Sequence, residues 1–209
     1  MSTLLRIDSS PLSSEASFSR QLTSEFIQRW SQTNPGGRIM ERDLARTKLP
    51  VLDAEWIGAA YRPEASRTPS QREILATSDE LIAELAAADE YVIGVSMHNF
   101  SIPGGLKLWI DQVVRAGKTF VYENNMPVGL LRNKKVTFLV ASGGVYEQGS
   151  PRAFMNFVEP YLLSLFNYLG VTDVSFVNAA GTARLRQGVG RELILQPALA
   201  SIRAQFQAA

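Results

Sequence analysis

The sequence predicts one α/β domain over residues 1–209, a three-layer doubly wound sandwich with a five-stranded parallel sheet and helices on both faces. Three observations carry this. Five short runs, apolar, rich in branched residues and bounded by turn signals, read as buried strands. Helical periodicities stand between them, so strand and helix alternate along the chain. Finally, 209 residues with 45% hydrophobic and 20% charged suffice for one sizeable core, with no linker, internal repeat or low-complexity tract.

Taken in order, "LLRID" (4–8) is the first strand. Phe18, Leu22, Phe26 and Trp30 then recur every four residues, one helix face that ends before Pro35-Gly36-Gly37. "RIMERDL" (38–44) is the second strand, and 45–68 reads as a long irregular insertion, a site wall or subunit contact. Ile74, Leu75, Leu81, Ile82 and Leu85 mark a helix from about Pro69 to Ala88, leading into the strand "YVIGVS" (91–96). The third helix carries Leu106, Trp109, Ile110, Val113 and Val114, with Pro103 near its first turn, where a missing N–H costs little. "VTFLVAS" (136–142) is the fourth strand. A helix from about Arg152 to Leu169 follows, with Phe154, Phe157, Val158, Tyr161, Leu162 and Leu165, and then the strand "VSFVNA" (174–179). The last helix, roughly Gly190 to Phe206, contains Pro197 and is expected to kink or start late there.

Composition excludes several chemistries. A net charge of +1 gives no electrostatic case for nucleic acid or an anionic membrane. No apolar stretch is long enough to span a bilayer and no secretory leader is visible, so a cytoplasmic protein is the expectation. Without cysteine there is no thiol nucleophile or cysteine-held cluster; one histidine rules out a multi-histidine metal site. Demanding chemistry would come from a bound organic cofactor.

In a doubly wound sheet, ligands bind outside the carboxyl ends of the strands, where strand order reverses. Three loops fall there. In "SSPLSSEASFSR" (9–20), Ser9, Ser10, Ser13, Ser14, Ser17 and Ser19 precede a helix, an arrangement suited either to a phosphate or to a serine-rich turn with one capping serine. Neither GxxxxGK[ST] nor GxGxxG follows strand one. The second loop, "MHNFSIPGG", offers Met97, Asn99 and Phe100 to grip a planar ring, with Gly104-Gly105 permitting close backbone approach. His98, the lone histidine, is assigned binding and no general-base role. In the third, "ASGGVYEQGS" (141–150), the paired glycines mark either a tight turn or close approach to a ligand, and the company of the other loops favours the ligand. Phe120 and Tyr122 could be core or could roof an open ring face.

These residues resemble the FMN-dependent NADH-azoreductases, which also reduce quinones. The likeness runs nearly end to end, through "SSPLSSEASFSRQL", "ERDLARTKLPVLD", "MHNFSIPGGLKLWIDQVVRAGKTFVY", "GLLRNKKVTFLVASGGVY" and "YLGVTDVSFV", with the loop and helix after strand three the most specific part. The resemblance implies a flavodoxin-like sandwich with strand order 2-1-3-4-5. It implies one non-covalent FMN per subunit: phosphate at Ser10, Ser17, Phe18 and Ser19, ring at Met97, His98, Asn99, Phe100, Ala141, Ser142, Gly143 and Gly144. Phe18 stands where relatives have polar or small residues, His98 where some have tyrosine, and Ser142 where some have arginine. The implied reaction is a ping-pong reductase, with NADH or NADPH passing hydride through the flavin to a quinone or azo compound. No side chain need act as acid or base. The family works as homodimers with substrate pockets at the subunit boundary. Phe120, Tyr122 and Tyr168 are therefore substrate-pocket candidates; Trp56, Tyr61 and Phe166 are further aromatics that could face a partner or belong to the core. The alternatives are an FMN-linked nitro or flavin reductase, which would share every residue named, and a flavodoxin-type electron carrier, which the near-neutral charge disfavours. A phosphoacceptor module would need an acidic cluster at the strand ends, where strand one supplies only Asp8.

Overall fold

The computed structural model describes residues 1–207. Its main sheet contains β1 (Thr3–Asp8), β2 (Arg38–Asp43), β3 (Glu90–Ser96), β6 (Lys135–Ala141) and β7 (Asp173–Ala179), in the order β2-β1-β3-β6-β7. Counted along the chain this is 2-1-3-4-5, and every pairing is parallel. The central strands read as unbroken apolar runs because both of their faces are covered. On one face α3 (Pro69–Ala87), α4 (Gly104–Val113) and α5 (Glu159–Leu169) pack a core that includes Leu81, Trp109, Phe138 and Phe166. On the other, α1 (Phe18–Thr33) and α6 (Arg191–Gln205) bury Leu22, Phe26, Trp30 and Ile202. Strand order reverses between β1 and β3, so the crevice at their carboxyl ends is the switch point.

Three sequence expectations need correction, and the alternative left open for Trp56 and Phe166 is resolved. The segment 45–68 is not irregular throughout: it contains α2 (Ala54–Tyr61), capped by Asp53, whose carboxylate accepts from the Trp56 N–H at 2.8 Å. Trp56 is buried there, its indole N–H donating to Gln112 Oε1 at 3.1 Å, so it is not a partner-facing aromatic. Phe166 is likewise buried in the core. The helix expected from Arg152 is interrupted: a 3-10 turn, Ala153–Met155, precedes α5, which starts at Glu159. Asn156 Oδ1 accepts from the Val158 and Glu159 N–H groups and Pro160 has no N–H to continue an earlier turn, so the helix begins where its cap lies. Phe154 and Phe157, counted among the apolar positions of that helix, are consequently 78% and 58% exposed. Pro197 does not delay α6, which runs through it. Leu193, whose carbonyl loses its donor, lies on the exposed side, where water can supply the bond.

Phe120 and Tyr122 belong to a hairpin that lies outside the main sheet, β4 (Phe120–Glu123) with β5 (Met126–Gly129). Asn124 and Asn125 form its turn with φ of 51° and 64°. Positive φ at both central residues is the type I′ geometry whose twist matches a two-residue hairpin.

Candidate functional site

The three loops at the carboxyl ends of β1, β3 and β6 are joined to one another. Ser9 Oγ donates to Gly94 O at 2.6 Å, Ser19 Oγ meets Ser96 Oγ at 3.1 Å, and Met97 N donates to Ala141 O at 2.8 Å. All twelve residues assigned to the cofactor thus lie along one edge of the molecule, at the switch point and the strand beside it.

The serine loop has more donors than acceptors. Ser10, Ser17 and Ser19 are all buried. Ser17 caps α1, accepting from the Arg20 N–H at 3.3 Å, and its hydroxyl also contacts Ser19 Oγ at 3.2 Å. Ser17, Ser19 and Ser96 therefore hold three hydroxyl protons between them but share only two O···O contacts. One proton is left over. The Ser10 hydroxyl accepts from Leu12 N at 3.3 Å and has no acceptor of its own among the described residues. Buried hydroxyls ordinarily find partners, and the first amides of α1 have none within the helix. A group that only accepts, at the positive end of a helix dipole, is the chemical complement of this set.

The strand-three loop follows the same logic. His98 and Ser101 exchange backbone hydrogen bonds of 2.9 and 3.0 Å across a two-residue turn, with Asn99 and Phe100 at φ of 48° and 69°. The carbonyl of Phe100 accepts from Phe157 N at 3.1 Å, whereas the amides of Asn99 and Phe100 have no partner among the described residues. A phenylalanine in the left-handed region is strained, at a cost of order 1–3 kcal/mol, and such strain persists only where the surroundings hold it. The Phe100 ring meets Tyr146 edge-on at 5.9 Å. Replacing Asn99 with alanine is expected to cost about 1 kcal/mol, because asparagine tolerates this backbone and alanine does not; Asn99→Gly should lose no stability. Denaturant unfolding of the two variants checks the pair.

In the third loop, Ser142, Gly143 and Gly144 all have their carbonyls satisfied, by Thr182 N, Ala183 N and Gly181 N at 3.0, 3.1 and 3.0 Å. The amides of Gly143 and Gly144 remain free among the described residues, as in the other two loops. At Gly144 the approach is close: a Cβ there would sit 2.8 Å from Cζ and the hydroxyl of Tyr146, so a side chain at this position would displace that ring. His98 is exposed and makes no side-chain hydrogen bond among the described residues.

Two features of this edge escaped the sequence. Tyr146 and Phe157 follow the glycine turn in "GGVYEQGSPRAFMNF" and join Phe100, a run of aromatics that could have suggested it. Behind the serine loop lies a buried ionic cluster: Arg20 forks onto Asp43 at 2.6 and 3.0 Å and approaches Asp8 at 3.6 Å. Burial raises the Asp8 carboxyl above its ordinary value despite Arg6, Thr23 and Arg20 beside it. Burial also opposes the Asp43 charge, but there the hydrogen bonds from Arg20 and the Ala45 N–H prevail and hold its pKa down.

Phe120, Tyr122 and Tyr168 come together, with ring centroids 5.6 Å (Phe120–Tyr122) and 4.9 Å (Phe120–Tyr168) apart, but away from the three loops. α4 runs back from the carboxyl end of the sheet over ten residues, about 15 Å at a helical rise, before the chain reaches Phe120. Burial above all lifts the Tyr168 hydroxyl to about 12, and the neighbouring Tyr122 adds to it. Among the described residues no helix is long and apolar enough to cross a membrane.

The comparisons agree with this geometry. The flavodoxin-like fold family matches residues 2–206. A protein of Acidobacterium capsulatum named FMN-dependent NADH:quinone oxidoreductase is 52% identical over 204 residues, 97% of this chain and 98% of that protein. The crystal structure of an azoreductase from Bacillus anthracis superposes with a TM-score of 0.89 at 26% identity, covering 100% of both chains. An FMN-dependent NADH-azoreductase of the same species, solved in complex with FMN, gives a TM-score of 0.88 at 25% identity over 100% of this chain and 99% of that one. The strand order, the loops at the switch point and this end-to-end likeness have one reading: the chain belongs to the flavodoxin-like fold family and, within it, to the FMN-dependent NADH:quinone oxidoreductases and azoreductases.

Proposed function

We propose that this protein is an FMN-dependent NAD(P)H oxidoreductase that reduces quinones and azo compounds, holding one FMN per chain across the three loops. The observation that carries the binding site is the surplus of donors along one edge: spare hydroxyl protons at buried Ser10 and in the Ser17–Ser19–Ser96 group, and free amides at Asn99, Phe100, Gly143 and Gly144. FMN has acceptors at both ends, a phosphate and the polar edge of its ring. In this reading Ser10, Ser17, Ser19 and the Phe18 amide hold the phosphate. Met97 and Phe100 pack on the ring, while the four loop amides donate to its edge. His98, Ala141 and Ser142 complete the wall. When bound, FMN supplies the two-electron chemistry between nicotinamide and acceptor, so the chain's own work is to bind, orient and exclude water.

The reading extends to a homodimer. Phe120, Tyr122 and Tyr168 lie too far down the fold to cover the ring bound by their own chain. Two apolar surfaces are left open, one near the loops with Phe154 and Phe157 at 78% and 58% exposure, one at the hairpin with Tyr61, Tyr122 and Met126 at 81%, 66% and 65%. A two-fold axis sets each surface of one copy against a surface of the other, and would bring the hairpin aromatics to the partner's open ring face. A cytoplasmic location goes with this reading, since the electron donor is a soluble nicotinamide.

Steady-state turnover of a benzoquinone and an azo dye, with NADH and with NADPH and with FMN added, tests the activity. A yellow protein and parallel double-reciprocal lines are expected, because donor and acceptor use one pocket in turn. A colourless protein that cannot take up FMN would overturn the reading. Sedimentation at micromolar concentration should give a dimer whose quinone activity falls on dilution; a fully active monomer would refute the shared pocket.

A further inference from the structure

The buried Arg20 deepens this reading and rests on it. Arginine side chains are almost never fully buried unless paired, yet this one is 7% exposed and all of its described partners are internal. Nε and Nη2 donate to the Ser10 carbonyl at 3.2 and 2.7 Å; Nη1 and Nη2 donate to the two Asp43 oxygens at 3.0 and 2.6 Å. Asp43 also accepts from the Ala45 N–H at 3.0 Å, which closes the chain after β2. Asp8 and Asp43 are register partners across β1 and β2, so the pairing of those strands assembles the acidic side of the cluster.

The need for such a group is local. Ser10 is buried and precedes Pro11, so the peptide bond between them has a carbonyl to satisfy and no N–H. A carbonyl held away from water needs a donor from elsewhere, and the two forks of one guanidinium can serve it and a carboxylate together. With its carbonyl gripped from behind, Ser10 keeps its hydroxyl proton free on the other side. We infer that Arg20, braced by Asp43, is a positioning residue that holds the β1–α1 loop in its phosphate-binding shape through the Ser10 carbonyl, without itself touching the cofactor.

The test separates geometry from charge. Arg20→Lys keeps the positive charge and loses the fork; Asp43→Asn keeps Arg20 and loses the brace. Apoprotein of each variant is titrated with FMN and with riboflavin by flavin fluorescence, and amide exchange is followed over residues 9–17. Both variants are expected to bind FMN about tenfold or more weakly, the factor that corresponds to losing one hydrogen bond to a charged group. Riboflavin affinity should stay within about twofold, and exchange in the loop should quicken, more than in the core strands. Arg20→Lys binding FMN as tightly as the parent would show that only charge is needed and would overturn the inference. So would equal losses for FMN and riboflavin, the mark of a merely structural role. If Arg20→Lys fails to fold, Asp43→Asn still decides. If the parent protein itself binds no FMN, it is the functional reading that fails.

Discussion

Replacing Ser10 and Ser17 together with alanine is expected to weaken FMN binding by roughly a hundredfold or more while riboflavin binding hardly changes. Each hydroxyl, in the proposed site, donates to a phosphate oxygen, and a hydrogen bond to a charged group contributes about 1.5–3 kcal/mol. Since about 1.4 kcal/mol is a factor of ten, two such losses multiply. Ser17 also caps α1 through the Arg20 N–H, and losing a cap costs about 1 kcal/mol of fold stability. That cost falls on the protein whichever flavin it holds, which is why riboflavin, the same ring without the phosphate, is the control. Fluorescence titration of the apoprotein with both ligands gives the ratio. Equal losses would mean that the serines support the helix and do not read the phosphate.

The second large effect is expected far from the loops. Gly129→Ala should destabilise the protein by about 3 kcal/mol or more, beyond the usual range for an overpacked site, because the obstacle is backbone. A Cβ at Gly129 would lie 2.1 Å from both Gly170 N and Leu169 C. Gly170 ends α5 in the left-handed conformation, with φ of 98°, and Leu131 N donates to Leu169 O at 2.9 Å just beside it. Neither side can yield without undoing the helix end or the hairpin. The hairpin carries Phe120 and Tyr122 against Tyr168, so, if the proposed dimer pairs through it, the folded fraction should retain FMN but lose self-association and quinone turnover together. Gly58→Ala is the matched control. It lies within α2 with open space around its Cβ position, and alanine there should add roughly 0.5–1 kcal/mol through helix propensity. Denaturant midpoints measure both variants. An unchanged midpoint for Gly129→Ala would mean that the two backbones are not in contact.

Much of the fold was legible because its signals are local. The sheet strands are covered on both faces, and a run such as "YVIGV" has no other use for so many apolar residues in a row. The four-residue spacing of Phe18, Leu22, Phe26 and Trp30 likewise specified α1 and its buried face. The three loops followed from strand order, and the serines and glycines in them could be read directly. The hairpin was missed because its strands have four residues each, too few for alternation to stand out, although Asn124-Asn125 marks its turn. α5 was extended too far because Phe154 and Phe157 continue an apolar pattern that Pro160 and the Asn156 cap cut off.

By itself, then, the sequence determined which segments form the sheet, which faces are apolar and which loops carry ligand chemistry, since each depends on residues within a few positions of one another. Tertiary structure alone decided the rest. Nothing in its own neighbourhood marks Arg20; its role depends on Ser10 and on Asp43, ten and twenty-three residues away, which meet only when β1 pairs with β2. Trp56 and Phe166 looked equally able to face a partner, and only packing sent them inward. Phe120, Tyr122 and Tyr168 gather at the end of the fold opposite the loops because α4 carries the chain back along the sheet. A side chain's type and spacing are written locally, whereas its partners are supplied by segments whose meeting the sheet order decides.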